Sequence, residues 1–202
     1  MPKKTKLDLY KQFKSEYVTP KQPAFVVVGP AKYLAITGQG APGGPHFRSR
    51  ISALYAVAFT LKMTEKFAGN DYKVCHLEGQ WWACDGSDFH ARQPKEWQWR
   101  LLLRVPEFIA PAHVDAAIKA VMEKGRSAIA AQVKLEALTE GRCVQMLHTG
   151  PYEEEKAAID KMQELAKGNG VHLRGPHHEI YLSDPNRVPA ERLRTILRYP
   201  VE

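Results

Sequence analysis

Tyr33-Leu34-Ala35-Ile36-Thr37-Gly38-Gln39-Gly40-Ala41-Pro42-Gly43-Gly44-Pro45 carries the chain out of an apolar run and into a segment that no regular element tolerates. With four glycines and two prolines, Gly38–Pro45 must be a loop. Beyond it the period changes. Phe47, Ile51, Leu54, Tyr55, Ala58 and Leu61 recur every three or four residues, which predicts an amphipathic helix of about five turns. Upstream, Ala24–Val28 and Tyr33–Thr37 read as short strands parted by Gly29-Pro30. Downstream, strands are expected at Lys73–Leu77, Trp81–Cys84 and Trp97–Arg104. A second helix is expected from Pro111 to about Lys124, with Val114, Ile118, Val121 and Met122 inward. Val133–Leu138 and Arg142–His148 read as a hairpin around Thr139-Glu140-Gly141. A third helix after Gly150-Pro151 uses Ile159, Met162 and Leu165, and strands at His177–Leu182 and Thr195–Tyr199 close the chain.

The two halves follow one plan: a strand ending at glycine (Gly38, Gly150), a helix, a strand carrying a glutamate (Glu78, Glu179), and another strand. The expected fold is therefore α+β, built of duplicated strand–helix–strand–strand units with pseudo-twofold symmetry. Its antiparallel sheets carry helices on one face and a ligand pocket on the other. Residues 1–22 form a polar N-terminal arm, and residues 23–202 form one domain of two repeats, about 23–110 and 111–202.

Composition narrows the class. Of 202 residues, 44% are hydrophobic and 25% charged, the range of globular proteins rather than disordered ones. No apolar run approaches the roughly 20 residues that span a bilayer, and no apolar segment follows the basic start, so a cytoplasmic protein is expected. Cys75, Cys84 and Cys143 make neither a disulfide framework nor a metal cluster. The net charge is +7, but Lys3-Lys4-Thr5-Lys6 and Arg187, Arg192, Arg194 and Arg198 read as a solvated basic face. With no helix-turn-helix or zinc-finger spacing, neither nucleic acid nor membrane is an expected partner.

Strand alternation selects the site. His178, Ile180 and Leu182 share one face, and the apolar pair predicts that this face packs on the helices. His177, Glu179 and Tyr181 then look to the open side. One of Trp81 and Trp82 must look there too, because adjacent strand residues point oppositely. Glu78 on the equivalent strand is expected to join Glu179. A carboxylate ringed by aromatics suits cationic or electron-poor rings, and in a partly dry pocket it becomes a proton acceptor near neutral pH. His177 and Glu179 share a face in the manner of metal ligands. No third ligand stands at a defined spacing, so no metal or other cofactor is expected.

Leu147-His148-Thr149-Gly150-Pro151-Tyr152 before a helix, followed by His177-His178-Glu179-Ile180-Tyr181-Leu182-Ser183-Asp184, resembles the GyrI-like small-molecule-binding domain over about residues 20–202. The resemblance implies a central pocket between the repeats with Glu179 inside it. Leu77–Trp82, Trp97–Phe108 and Leu197–Pro200 resemble a stand-alone subgroup. Some of its members hydrolyse the cyclopropane ring of cyclopropapyrroloindole-type DNA alkylators with an aromatic cage. The implied function is binding and hydrolysis of planar aromatic or electrophilic xenobiotics. Glu179 and Tyr152 would be catalytic, with Tyr181, Glu78, Trp82, Trp81, Trp99, Tyr55, Phe108 and His177 around the ligand. The alternatives are a non-catalytic module that sequesters lipophilic cations or toxins, and a protein that blocks an enzyme such as gyrase. Many relatives lie behind a helix-turn-helix, whereas ~20 polar residues precede the domain here, which disfavours a regulator. The oligomeric state is left open.

Overall fold

The computed structural model describes residues 6–85, 93–125 and 127–202. Lys3, Lys4 and Thr5 of the basic start lie outside the described residues. Eight strands form one antiparallel sheet. They are β1 (Ala24–Val28), β2 (Ala31–Gln39), β3 (Glu78–Ala83), β4 (Trp97–Val105), β5 (Lys134–Leu138), β6 (Gly141–Thr149), β7 (His177–Tyr181) and β8 (Arg194–Pro200). The helices are α1 (Leu9–Gln12), α2 (Pro45–Phe67), α3 (Pro111–Glu123) and α4 (Lys156–Gly168).

The strand order β1-β6-β8-β7-β3-β4-β2-β5 reads alike from either end. At the centre β3 pairs with β7, Gly79 opposite Glu179 and Trp81 opposite His177. At the edges the halves exchange strands. β1 pairs with β6 of the second half, and β5 pairs with β2 of the first. The expected hairpin of β5 and β6 is therefore not formed: β1 pairs with β6 and β2 with β5 in one continuing register, Val28 opposite Gly141 and Ala31 opposite Leu138, and Gly141 takes φ 71 where the chain enters β6. Likewise Lys73–Leu77 is not a strand, and the real one starts at Glu78.

The two glycines that end β2 and β6 serve different ends. Gly150 takes φ 138, a conformation that side-chain-bearing residues avoid. Gly38 leaves room for the Trp99 indole, which lies where a Cβ would project. Pro45 opens α2 at a position where its missing N–H costs nothing. Phe47, Leu54, Val57, Ala58 and Leu61 of α2 and Val114, Ala117 and Val121 of α3 bury against Trp81, Trp99, Leu101 and Leu103. In the other half, Ala158, Ile159, Met162 and Ala166 of α4 cover Val144, Met146, Leu197 and Tyr199.

The opposite face of the sheet is covered as well. The segment expected to be a polar arm lies across it. Leu9 and Glu16 are buried, Glu16 pairs with Arg104 at 2.6 Å, and its carbonyl accepts from Arg198 at 2.6 Å. Around Arg198 runs a buried network. Its guanidinium donates to Glu140 at 2.8 Å and to Gln145 at 2.8 Å. His178 bridges Glu140 at 2.8 Å and Glu78 at 3.0 Å. Burial raises the Glu140 carboxyl, but His178 and Arg198 outweigh it and hold it down at about 2. Among the described residues, no helix is long and apolar enough to cross a membrane.

Candidate functional site

Between α2 and the start of α4, above the junction of β3 and β7, lies a cavity of about 990 Å³. It opens on the helix-bearing face, not on the other face as the alternation of Ile180 and Leu182 had predicted. The reason is that both faces are buried: Ile180 and His178 are fully buried on the face that carries the Arg198 network, so apolarity does not distinguish the helix side.

Phe47, Ile51, Tyr55 and Phe59, spaced by four residues along α2, form one wall. Phe47 stacks on Trp81 with ring centroids 5.8 Å apart, and Tyr55 stacks on Phe59 at 5.9 Å. Tyr152 forms the facing wall, with its ring edge-on to Tyr181 at 5.8 Å. On the floor, Tyr181 accepts a hydrogen bond from Trp81 Nε1 at 3.1 Å. Gly79 makes this pairing possible. A Cβ there would lie 2.7 Å from the Tyr181 hydroxyl and 2.9 Å from Trp81 Nε1.

The deepest part of the floor is charged. His177 Nε2 lies 3.2 Å from Glu179 Oε1 and 3.5 Å from Glu155 Oε2. All three residues are buried, at 1%, 7% and 2% exposure respectively. His177 and Glu179 project together because they stand two apart on β7. Glu155 arrives from the residue before α4, after Pro151 and the turn Tyr152–Glu154. Burial raises the Glu155 carboxyl to about 8, and the neighbouring Glu179 charge pushes the same way. Burial lowers His177, but its contacts with Glu155 and Glu179 prevail and bring it to about 9. Burial, then the Glu179 charge and after it Glu155, lift two hydroxyls in turn: Tyr152 reaches about 12, and Tyr181 goes well above its ordinary value. Both phenols therefore keep their protons well into the alkaline range.

Of the residues singled out in the sequence, Glu179, Tyr152, Tyr181, Trp81 and Tyr55 line the cavity, and His177 lies under its floor. The others lie elsewhere. Glu78 is on the opposite face, where it accepts from His178 and Tyr17. Trp82 points to that same face, opposite to Trp81, as neighbouring strand residues must. Trp99 is fully buried in the α2 core, donating to the Gly40 carbonyl at 3.1 Å. Phe108 is 43% exposed and borders a separate recess beside Leu7 and Phe13. Glu155 escaped the sequence reading because Glu153-Glu154-Glu155 looks like a solvated acidic helix start. The available signal was its helical register with Ile159, Met162 and Ala166, which puts it on the buried stripe.

A family model described as the GyrI-like small molecule binding domain matches residues 106–202. No curated protein matches the chain. Among solved structures, an uncharacterized conserved protein from Listeria innocua is 32% identical, over 98% of this chain and 100% of its own, with a TM-score of 0.90. A protein described as a hydrolase from Listeria innocua is 31% identical over the same shares, with a TM-score of 0.87. The EcmrR C-terminal domain shares the fold at 13% identity and a TM-score of 0.53, over 90% of this chain and 97% of its own. The family model over the second half, together with a relative 32% identical along 98% of the chain, shows that this protein belongs to the GyrI-like small-molecule-binding family.

Proposed function

We propose that the cavity takes flat aromatic, electrophilic or cationic small molecules and that the protein hydrolyses those bearing a strained ring, as in cyclopropapyrroloindole-type alkylators. The observation that carries this reading is the pairing of Glu179 and Glu155 on the buried floor of a cavity walled by aromatic rings. The hydrolase description of Listeria relatives at 31% and 32% identity supports the catalytic part.

Phe47, Tyr55, Trp81 and Tyr152 supply faces and edges that hold a planar ring system without demanding one substitution pattern. Glu179 then orients a water toward the cyclopropyl carbon and takes its proton as the new C–O bond forms. The C–C bond that breaks releases its electron pair into the conjugated dienone, which becomes a phenolate. Tyr152, held protonated, donates a hydrogen bond to that oxygen as charge develops. The proton taken by Glu179 passes to solvent and the phenolate gains one in return, so the net change is addition of one water. Ring strain and rearomatisation drive the chemistry, and the protein contributes register between water and carbon. A Glu179→Gln variant is expected to lose turnover by about 10²-fold or more while retaining binding of a neutral planar ligand. Wild-type turnover in that variant would remove Glu179 from the role.

The same buried carboxylates favour a second reading, retention of lipophilic cations without chemistry. Mass spectrometry of a strained-ring ligand incubated with substoichiometric protein separates the two. A water adduct in excess of protein means turnover, and unchanged ligand means sequestration.

A further inference from the structure

The strand residues His177 and Glu179 offer two metal donors on one face, and the sequence shows no third donor at a defined spacing. The fold supplies it. Glu155, 22 residues earlier in the chain, reaches the same point from the start of α4. One ligand atom from each of the three residues lies within 4.8 Å of the others. The two edges that meet at His177 Nε2, 3.2 Å and 3.5 Å, bracket the ~3.4 Å between donors that tetrahedral bonds of about 2.1 Å require. A second observation points the same way: Glu155 is 2% exposed, lines the cavity, and its Oε1 has no hydrogen-bond partner among the described residues. A buried carboxylate oxygen without a partner is costly, and a cation held by these three residues would satisfy it.

We propose that Glu155, His177 and Glu179 form a binding site for a divalent transition-metal ion of the zinc type. One imidazole nitrogen and two carboxylate oxygens match the mixed N/O preference of Zn²⁺ and Co²⁺ rather than the all-oxygen preference of Mg²⁺ or Ca²⁺. Three protein ligands would leave coordination positions open, and two of the three, Glu155 and Glu179, line the cavity. The H-x-E spacing on β7 accounts for two ligands by strand geometry alone, because residues i and i+2 project side by side. This goes beyond the organic-ligand reading and does not depend on it.

The test is a titration of the EDTA-stripped full chain with Co²⁺, carried in a Cys84→Ser background because Cys84 is an exposed thiol. One equivalent of Co²⁺ is expected to produce the visible absorption of a four- or five-coordinate site, and one equivalent of Zn²⁺ to abolish it. Glu155→Gln and Glu179→Gln, both nearly isosteric, are each expected to weaken Co²⁺ binding at least ~10-fold with circular dichroism unchanged. The absence of an absorption change at ~100 μM Co²⁺ overturns the site, as does binding that both variants retain. Organic-ligand binding is read separately from quenching of tryptophan fluorescence, so failure of the metal site and failure of the proposed function are distinguishable.

Discussion

Gly79 is the most exacting point of the cavity floor. Adding one methyl group there tests whether the Trp81–Tyr181 pair organises the site. Gly79 stands on β3 opposite Glu179, and its backbone lies outside the left-handed region, so Gly79→Ala introduces no conformational strain. The new Cβ would meet the Tyr181 hydroxyl at 2.7 Å, Trp81 Nε1 at 2.9 Å and Trp81 Cε2 at 3.4 Å. Both rings must withdraw, and the 3.1 Å hydrogen bond between them breaks. A lost hydrogen bond costs about 1 kcal/mol and an overpacked floor about 1–3 kcal/mol. The expected loss of stability in urea is thus about 2–3 kcal/mol, with the denaturation slope unchanged. A planar aromatic cation that quenches tryptophan fluorescence is expected to bind at least ~10-fold more weakly, since about 1.4 kcal/mol is a factor of ten. Tyr181→Phe removes the nearer clashing atom. In that background the cost of Gly79→Ala is expected to shrink by about 1 kcal/mol, the sign of two residues acting through one contact. Equal costs in both backgrounds, or a Gly79→Ala protein with wild-type stability and affinity, would refute the reasoning.

On the opposite face, Glu140→Gln leaves His178 and Arg198 buried with one carboxylate fewer, and urea denaturation at pH 7 is expected to show a loss of about 3–5 kcal/mol. The same carboxyl makes the wild type acid-sensitive. Its pKa falls on folding from 4.5 to about 2, so its contribution is complete above 4.5 and is lost as pH drops through about 2. That contribution is of order 3 kcal/mol, and a Glu140→Gln protein is expected to lack this part of the acid transition. Trp82→Ala and Phe108→Ala are expected to leave cavity affinity within about twofold, whereas Trp81→Ala weakens it ~10-fold or more, read by the same quenching titration. Gly38→Ala drives a Cβ into the Trp99 indole and is expected to lower the thermal midpoint by several degrees without abolishing ligand binding.

The elements were legible where local chemistry decides them. The glycines and prolines of Gly38–Pro45 announce a break before α2, though Gly38 and Gln39 still pair in β2 and Pro45 already opens the helix; the four-residue spacing of Phe47, Ile51 and Tyr55 announces α2, and Gly150-Pro151 marks the break before α4. Pairing was less legible, because nothing local in Thr139-Glu140-Gly141 shows that β5 pairs with β2 and β6 with β1 instead of with each other. The facing of β7 was misjudged for a physical reason. Alternation informs only when one side of a sheet meets water, and here Arg198, His178 and Glu16 form a polar interior on the side away from the helices. Such an interior is made of residues that look like surface in a linear reading. Glu78 and Glu155 exchanged roles on the same account. The glutamate on the β3 strand went to the polar interior, and the one in an acidic run went to the cavity.

The exchange of edge strands bears on how the chain is made. Ala24–Val28 pairs only with Arg142 and its neighbours on β6, so a ribosome must add roughly 120 further residues before the partner exists, about 10 s at typical rates. Throughout that interval Ala24-Phe25-Val26-Val27-Val28, a short apolar segment of high β-propensity without charge, has no strand to join. Such a segment is open to aggregation while it waits, and Lys21 and Pro23 stand immediately before it, where gatekeeper residues are placed. Each half takes its outermost strand from the other, so neither completes its part of the sheet alone. Synthesis of the second repeat, rather than of the first, is what supplies the partners that complete the sheet.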